Sequence, residues 1–299
     1  MVRCRSPPAA APVRPLSSSR LQLVSRISKQ TLIRAGEEDP DVVGMSYNSA
    51  RDELFLADYA NKVVSAMRMR DNAGELREVY RAPHVTSSFI RSVCHMSDSD
   101  TLLMCLYEDK KWLVALSRNG SEWREAQRMQ TDGIGWISCA LSYSRVLIGN
   151  SNSTYMELFR VENGPRIAHV HRINVSEEYC WFSATCGNDT LVAMSYQYKD
   201  QSVRVHRLLD DRLEELAFIS MKNPYKLLWL ADRLLVADID DENESHAVIE
   251  LVVSYTRLER SRELIASSDN SNVKRLCAVN DGLAIFDDKS KDILHYSFV

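Results

Sequence analysis

Short apolar runs separated by polar breaks occupy nearly the whole chain, and one run returns six times. Its fullest copy is Leu54-Phe55-Leu56-Ala57-Asp58-Tyr59-Ala60-Asn61-Lys62-Val63. Weaker copies begin at Leu102, Val146, Leu191, Leu234 and Leu283, at spacings of 48, 44, 45, 43 and 49 residues. A period in that range, with strand-length apolar runs in every unit, predicts the blades of a β-propeller. Each unit reads as four strands, named A to D from the axis outward. Strand A is short and built of small residues, as in Val93-Cys94, Ile137–Ala140, Phe182–Thr185 and Leu276–Val279. Strand B is the apolar phrase itself, and a near-continuous apolar run fits a strand buried on both faces. Strand C alternates more clearly, as over Val63–Met69, Trp112–Leu116 and Ser202–Leu208.

The outer strand D decides how the ring closes. Five units supply one, at Leu76–Tyr80, Arg124–Met129, Arg166–Ile173, Leu213–Ile219 and Arg262–Ala266, whereas the sixth unit ends at Val299 on its strand C. The missing copy stands at the other end of the chain, where Leu21–Ile27 has the length and alternation of a D strand. The expected fold is therefore all-β: a six-bladed β-propeller of four-stranded antiparallel blades, its ring closed by an N-terminal strand. Closure of that kind removes the unpaired edges an open ring would expose. Residues 20–299 are expected to form this single domain, with 21–30 carrying the closing strand. Residues 1–19, with four prolines and four serines, read as a disordered basic tail, because such a composition cannot bury a core. An Arg-rich, acid-free start also fits a mitochondrial presequence, but its prolines oppose the amphipathic helix that role requires.

Charge sharpens the picture. The chain of 299 residues has a net charge of −4, and since residues 1–35 hold seven basic residues and no acid, residues 36–299 carry −11. An acidic body argues against nucleic acid, whose phosphate backbone calls for basic stripes. No apolar run approaches the ~18 residues needed to span a membrane. The seven cysteines follow no zinc-binding spacing, and Cys94, Cys139 and Cys277 fall on strand A as small buried residues. Reduced thiols point to the cytoplasm. Five glycosylation-type triplets, at Asn119, Asn152, Asn174, Asn188 and Asn243, would suit a secreted protein, but no secretory signal precedes them and they read as coincidence.

The phrase Leu54–Val63 resembles the repeat core of the NHL and YWTD (TolB-like) groups of six-bladed propellers: an apolar strand, Ala-Asp, a short turn with Asn, then a basic residue and Val. Asp287-Asp288-Lys289-Ser290-Lys291-Asp292-Ile293 is a weaker relative. The resemblance extends over all six units by period and over one by motif, and it implies the fold. Neither the Trp-Asp nor the Gly-His dipeptide of WD-type repeats occurs.

In such a ring the D-to-A and B-to-C loops share the face around the central channel. Four residues past each strand-B anchor stand Asp58, Leu106, Asn150, Ser195, Asp238 and Asp287. Hard cations take about six to eight oxygen ligands, and six-bladed lactonase-like enzymes hold a calcium at such a place, so Asp58, Asn150, Asp238 and Asp287 are the candidate metal ligands of a calcium-dependent lactonase or arylesterase. The competing role for these side chains is to cap backbone N–H groups in the turns that follow. Aromatic residues recur at the start of strand A, as Phe89, Trp136, Trp181 and Tyr225, with His84, Arg91, Lys226, Lys274 and Arg275 close by. Trp, Tyr and Arg anchor protein interfaces, and large rings also pack between blades. His169 and His171 share one face of an outer strand, and Asp240–Ser245 forms an acidic loop. No nucleophile elbow or phosphate-binding Gly-rich loop occurs. The preferred expectation is a monomeric, non-catalytic platform without cofactor. It would bind a protein or peptide through Trp136, Trp181, Phe89, Tyr225 and Arg91.

Overall fold

A computed structural model of the chain describes residues 20–69, 75–83, 88–132, 137–142, 144–149, 154–162, 165–175, 181–186, 190–196, 201–210, 212–230, 233–240, 245–254, 257–265, 272–280 and 282–299, with backbone only at 137–142, 181, 182, 186, 240, 245 and 254. The basic tail 1–19 and most of the acidic loop, 241–244, lie outside these residues.

The first described elements are strand β1 (Leu21–Ile27) and a helical turn, α1 (Lys29–Leu32). Blade one is β2 (Val42–Asn48), β3 (Glu53–Asp58), β4 (Val63–Arg68) and β5 (Arg77–Arg81). Blade two is β6 (Phe89–Met96), β7 (Thr101–Tyr107), β8 (Lys111–Asn119) and β9 (Glu122–Gln130). Blade three is β10 (Ile137–Ser142), β11 (Arg145–Gly149), β12 (Tyr155–Glu162) and β13 (Arg166–Asn174). Blade four is β14 (Trp181–Cys186), β15 (Leu191–Tyr196), β16 (Ser202–Leu208) and β17 (Leu213–Ser220). Blade five is β18 (Pro224–Leu230), β19 (Arg233–Asp240), β20 (Ser245–Ser254) and β21 (Arg257–Ile265). The last three strands are β22 (Val273–Val279), β23 (Gly282–Asp287) and β24 (Asp292–Phe298), and the sixth sheet runs β1-β24-β23-β22. The N-terminal strand thus completes the last blade, pairing antiparallel from Leu21 with Phe298 to Ile27 with Ile293.

The continuous apolar run of strand B has a geometric cause. Successive side chains of a strand point to opposite faces, and both faces here meet a neighbouring blade. Leu54 and Leu56 of β3 enter the core shared with blade six, beside Phe286 and Ile293, while Phe55 and Ala57 enter the core shared with blade two, beside Leu102, Met104 and Leu106. In β7 the other face sends Leu103 and Cys105 toward Val146 and Phe159 of blade three. The core is therefore a ring of six inter-blade clusters, each drawn from two consecutive blades.

The innermost strands pair only with strand B, which leaves their inner N–H groups in need of partners. Hydroxyls of the preceding blade supply them. Ser46 Oγ accepts from His95 N at 2.8 Å, Ser183 Oγ from Leu227 N at 3.2 Å and Thr185 Oγ1 from Trp229 N at 3.1 Å. Small residues on strand A thus bond as well as fit. The tightest approach is at Gly44 of β2, where an added Cβ would lie 2.9 Å from Ser92 Cα and from Val93 N, both backbone atoms of blade two. Gly44→Ala should cost about 1–3 kcal/mol, the range for overpacking. A urea-unfolding midpoint equal to the parent's would show that the two blades can separate at no cost.

Candidate functional site

Five blades share a local irregularity that sets the geometry of the channel mouth. The register of strands A and B slips between Val42 and Gly44, Ile90 and Ser92, Trp181 and Ser183, Pro224 and Lys226, and Val273 and Arg275. A bulge leaves one residue unpaired and re-aims its side chain. In blades two, five and six that residue is Arg91, Tyr225 and Lys274.

The residues at the ends of strand B hold the same loops. Asp58 accepts from the N–H of Asp41 (3.1 Å), Ala60 (3.0 Å) and Asn61 (3.3 Å), and from Asn61 Nδ2 (2.8 Å). Asp287 accepts from Asn272 N (2.6 Å), Lys289 N (3.3 Å), Ser290 N (3.3 Å) and Ser290 Oγ (2.6 Å). Asp238 takes Asn223 N at 2.9 Å. In blades one, five and six the carboxylate ties the incoming D-to-A loop to the end of strand B. Burial pushes the Asp58 carboxyl up from its usual range, and the Asn61 side chain and three backbone N–H groups pull the other way. Asn150, the fourth residue of the sequence-predicted metal set, lies outside the described residues. Among the described residues no group of three or more His, Cys, Asp or Glu is placed to hold a metal ion. His169, one of the outer-strand pair, packs edge-on against Phe159 and lies 3.6 Å from Glu157.

Of the predicted partner-binding residues, Phe89 and Arg91 come together. Phe89 stacks on Tyr107 with centroids 4.6 Å apart and planes 10° from parallel. Tyr59 leans on Phe89 at 5.3 Å. The Arg91 guanidinium covers both rings, 4.2 Å from the Phe89 centroid and 5.0 Å from that of Tyr59. All four residues are half-buried, so the cluster keeps some contact with solvent. Cation–π contacts of this kind are worth about 0.5–2 kcal/mol. Tyr59 and Tyr107 are site residues that the sequence analysis missed. Their signal was available, since each stands five places past its strand-B anchor. Tyr225 lies under the Lys226 ammonium, 5.1 Å from ring to nitrogen, in blade five and apart from this stack. Trp181 opens β14, paired with Tyr196, and its ring is not described; Trp136 lies outside the described residues.

The mouth is also charged. Lys274 Nζ is held by Asp41 at 2.8 Å and by Asp288 at 3.1 Å, which raises its pKa against the opposing effect of burial. Arg275 donates from Nε to Val43 O and from Nη1 to Lys274 O, each at 2.6 Å, and so ties blade six to blade one.

No family model matches the chain, and no curated protein does. Solved structures match throughout. This chain has the β-propeller fold. A chain of a mitotic checkpoint complex superposes with a TM-score of 0.65 at 8% identity, covering 99% of this chain and 97% of that one. The β-propeller domain of Cps50 (Swd1) from Myceliophteria thermophila gives 0.60 at 11% identity, covering 87% and 83%. The soluble aldose sugar dehydrogenase of Escherichia coli, in its apo-form, gives 0.63 at 7% identity, covering 94% and 99%. Propellers of such different roles share the architecture alone, and function is read from the site.

Proposed function

We propose that the chain is a non-catalytic platform that binds a protein or peptide over the loop face around its channel. The observation that carries this reading is the half-buried Tyr59–Phe89–Tyr107 stack capped by Arg91. Aromatic rings and guanidinium groups are the usual anchors of interfaces. Membership of a mitotic checkpoint complex by one structural neighbour is in keeping with it. The calcium-dependent lactonase reading would instead draw on Asp58, Asn150, Asp238 and Asp287. The carboxylates of Asp58 and Asp287 are already engaged by turn N–H groups, which favours the platform. The resemblance of the phrase Leu54–Val63 to the NHL and YWTD repeat core supports this reading. The burial of Cys94, Cys105 and Cys277 suits a cytoplasmic protein.

The test uses a partner isolated with the intact protein and then purified. Replacing Phe89 and Arg91 together by Ala should weaken that partner by about 30-fold or more, the loss of one hot-spot cluster at 2 kcal/mol. The melting temperature should fall by only a few degrees, since both side chains are half-buried. Unchanged affinity would remove the channel mouth from the interface.

A further inference from the structure

We propose a second binding site, on the face opposite the channel mouth: a cleft between blades one and two that takes a phosphate monoester of a small polyol. It shares no residue with the aromatic stack and goes beyond the platform reading.

The cleft has a volume of about 600 Å³ and lies between two hairpin turns. Small-molecule sites span about 300–1,000 Å³. On the blade-one side stands the turn from β2 to β3. Asn48 Oδ1 accepts from Ala50 N at 3.1 Å, and Asn48 O accepts from Arg51 N at 3.3 Å. Asp52 follows with φ of +56°. Its carboxylate accepts from the Tyr47 hydroxyl at 2.6 Å and its carbonyl from Met69 N at 3.1 Å. On the blade-two side stands the turn from β8 to β9, where Gly120 has φ of +64°, a conformation glycine adopts without strain. Both walls are thus fixed in the protein itself, and a pre-formed site binds at lower entropic cost.

Four arginines line the cleft: Arg51, Arg68, Arg77 and Arg118. Buried Glu53 takes Arg77 Nη2 at 3.1 Å and also holds Arg118. Asp100 takes Arg51 Nε at 3.4 Å and Arg118 Nε at 3.3 Å. With Asp52 included, four guanidinium groups stand against three carboxylates, in a body that carries −11 on residues 36–299. Such a local inversion of charge draws an anion to one point of an otherwise repelling surface. The Arg118 side chain is only 6% exposed and acts as a fixed charge, whereas that of Arg51 is 52% exposed and that of Arg77 39%. The Arg51 ion pair is made at Nε, so its two Nη groups remain for a ligand. Guanidinium forks match the oxygens of phosphates and carboxylates. A phosphate monoester brings three oxygens and a charge of about −1.5 to −2 at neutral pH, enough to engage more than one fork at once. A carboxylate, with two oxygens and one charge, fills one.

The rest of the lining describes the rest of the ligand. Among its described residues none is aromatic or a large aliphatic, and Ala50 is the one apolar side chain. A nucleobase or an acyl chain would find nothing to pack against. Ligand hydroxyls would find the hydroxyls of Ser49 and Ser121 and the carboxylate of Asp52.

Isothermal titration calorimetry of the full chain with glucose 6-phosphate, glucose and inorganic phosphate tests the site. Glucose 6-phosphate should bind with a Kd of about 1 mM or below and glucose should give no heat. Inorganic phosphate should bind about tenfold more weakly than the ester, for want of hydroxyls to bond. Arg51→Gln should weaken the ester about tenfold and leave the melting temperature unchanged, because this exposed side chain makes a single ion pair. Arg77→Lys keeps a cation beside Glu53 but loses the fork, and it should weaken the ester too. No heat from glucose 6-phosphate at about 10 mM, full affinity in either variant, or equal affinity for the ester and inorganic phosphate would overturn the proposal. So would tighter binding of a phosphoserine peptide than of glucose 6-phosphate, which would give the cleft to a partner protein instead.

Discussion

A chain lacking residues 1–30 should melt far below the full chain and aggregate, whereas a chain lacking residues 1–18 should melt with it. Strand β1 is the fourth strand of blade six, and six of its residues pair with β24. Arg20 and Val299 exchange two further backbone bonds, at 2.8 and 2.9 Å. Its loss strips Ile27 from the core between blades six and one, where Leu32 is left without that neighbour's support. Burying such side chains is worth about 1.5–3 kcal/mol each. The buried carboxylate of Asp292 also loses Arg26 and the N–H of Lys29, the latter at 2.7 Å. With ladder bonds at about 0.5–1.5 kcal/mol each, the loss is of the order of the whole stability of a domain, about 5–15 kcal/mol. The edge of β24 would then stand open as a template for aggregation. Equal melting temperatures for the two truncations would mean that β1 contributes nothing to the ring.

Stability should fall by about 3 kcal/mol between neutral pH and pH 4 through one buried histidine. His206 of β16 is buried, with Nε2 3.4 Å from the Tyr196 hydroxyl. Burial first, and the Arg204 charge second, push its pKa from 6.5 down to about 4. The folded chain therefore resists taking up a proton that the unfolded chain accepts. The stabilisation is complete above the unfolded value of 6.5 and is lost as the pH falls from there through about 4. His95 is lowered by burial in the same direction, with Asp100 opposing, so the parent's slope has two sources. His206→Gln keeps a hydrogen-bonding side chain that does not titrate. Urea unfolding between pH 7 and 4.5 should show a shallower loss in this variant than in the parent. Parallel curves would mean that His206 titrates alike in both states.

Much of this fold is legible in the sequence because propeller blades repeat their physics. The phrase Leu54–Ala57 is apolar at every place because Leu54 and Leu56 serve one inter-blade core and Phe55 and Ala57 the next. The alternation of Leu21–Ile27 marked an outer strand with no partner nearby in sequence, and β24 is that partner. The site was less legible. Nothing in a linear pattern announces the bulges that re-aim Arg91, Tyr225 and Lys274. The bonds from Lys274 to Asp41 and from Arg275 to Val43 join blades six and one across more than 230 positions. Ser46, Ser183 and Thr185 read as small, and their hydroxyls prove to carry hydrogen bonds between blades. An inter-blade clamp on the opposite face escaped the sequence for the same reason. There Glu53 of blade one holds Arg77 of its own blade and the buried Arg118 of blade two, beside a cleft of about 600 Å³.

The route by which the last blade is closed also sets a schedule for the growing chain. Of the described strands, β1 leaves the ribosome before all the others, and its partner β24 follows them. At about 5–20 residues per second, β1 waits roughly 15–50 s for that partner. Through that interval it is an apolar strand with nothing to pair with, bearing Leu21, Leu23, Val24 and Ile27. Neighbouring nascent chains on one message each display the same strand at the same moment. A chaperone that shields the first thirty residues should therefore raise the yield of this protein more than one that acts on any later blade.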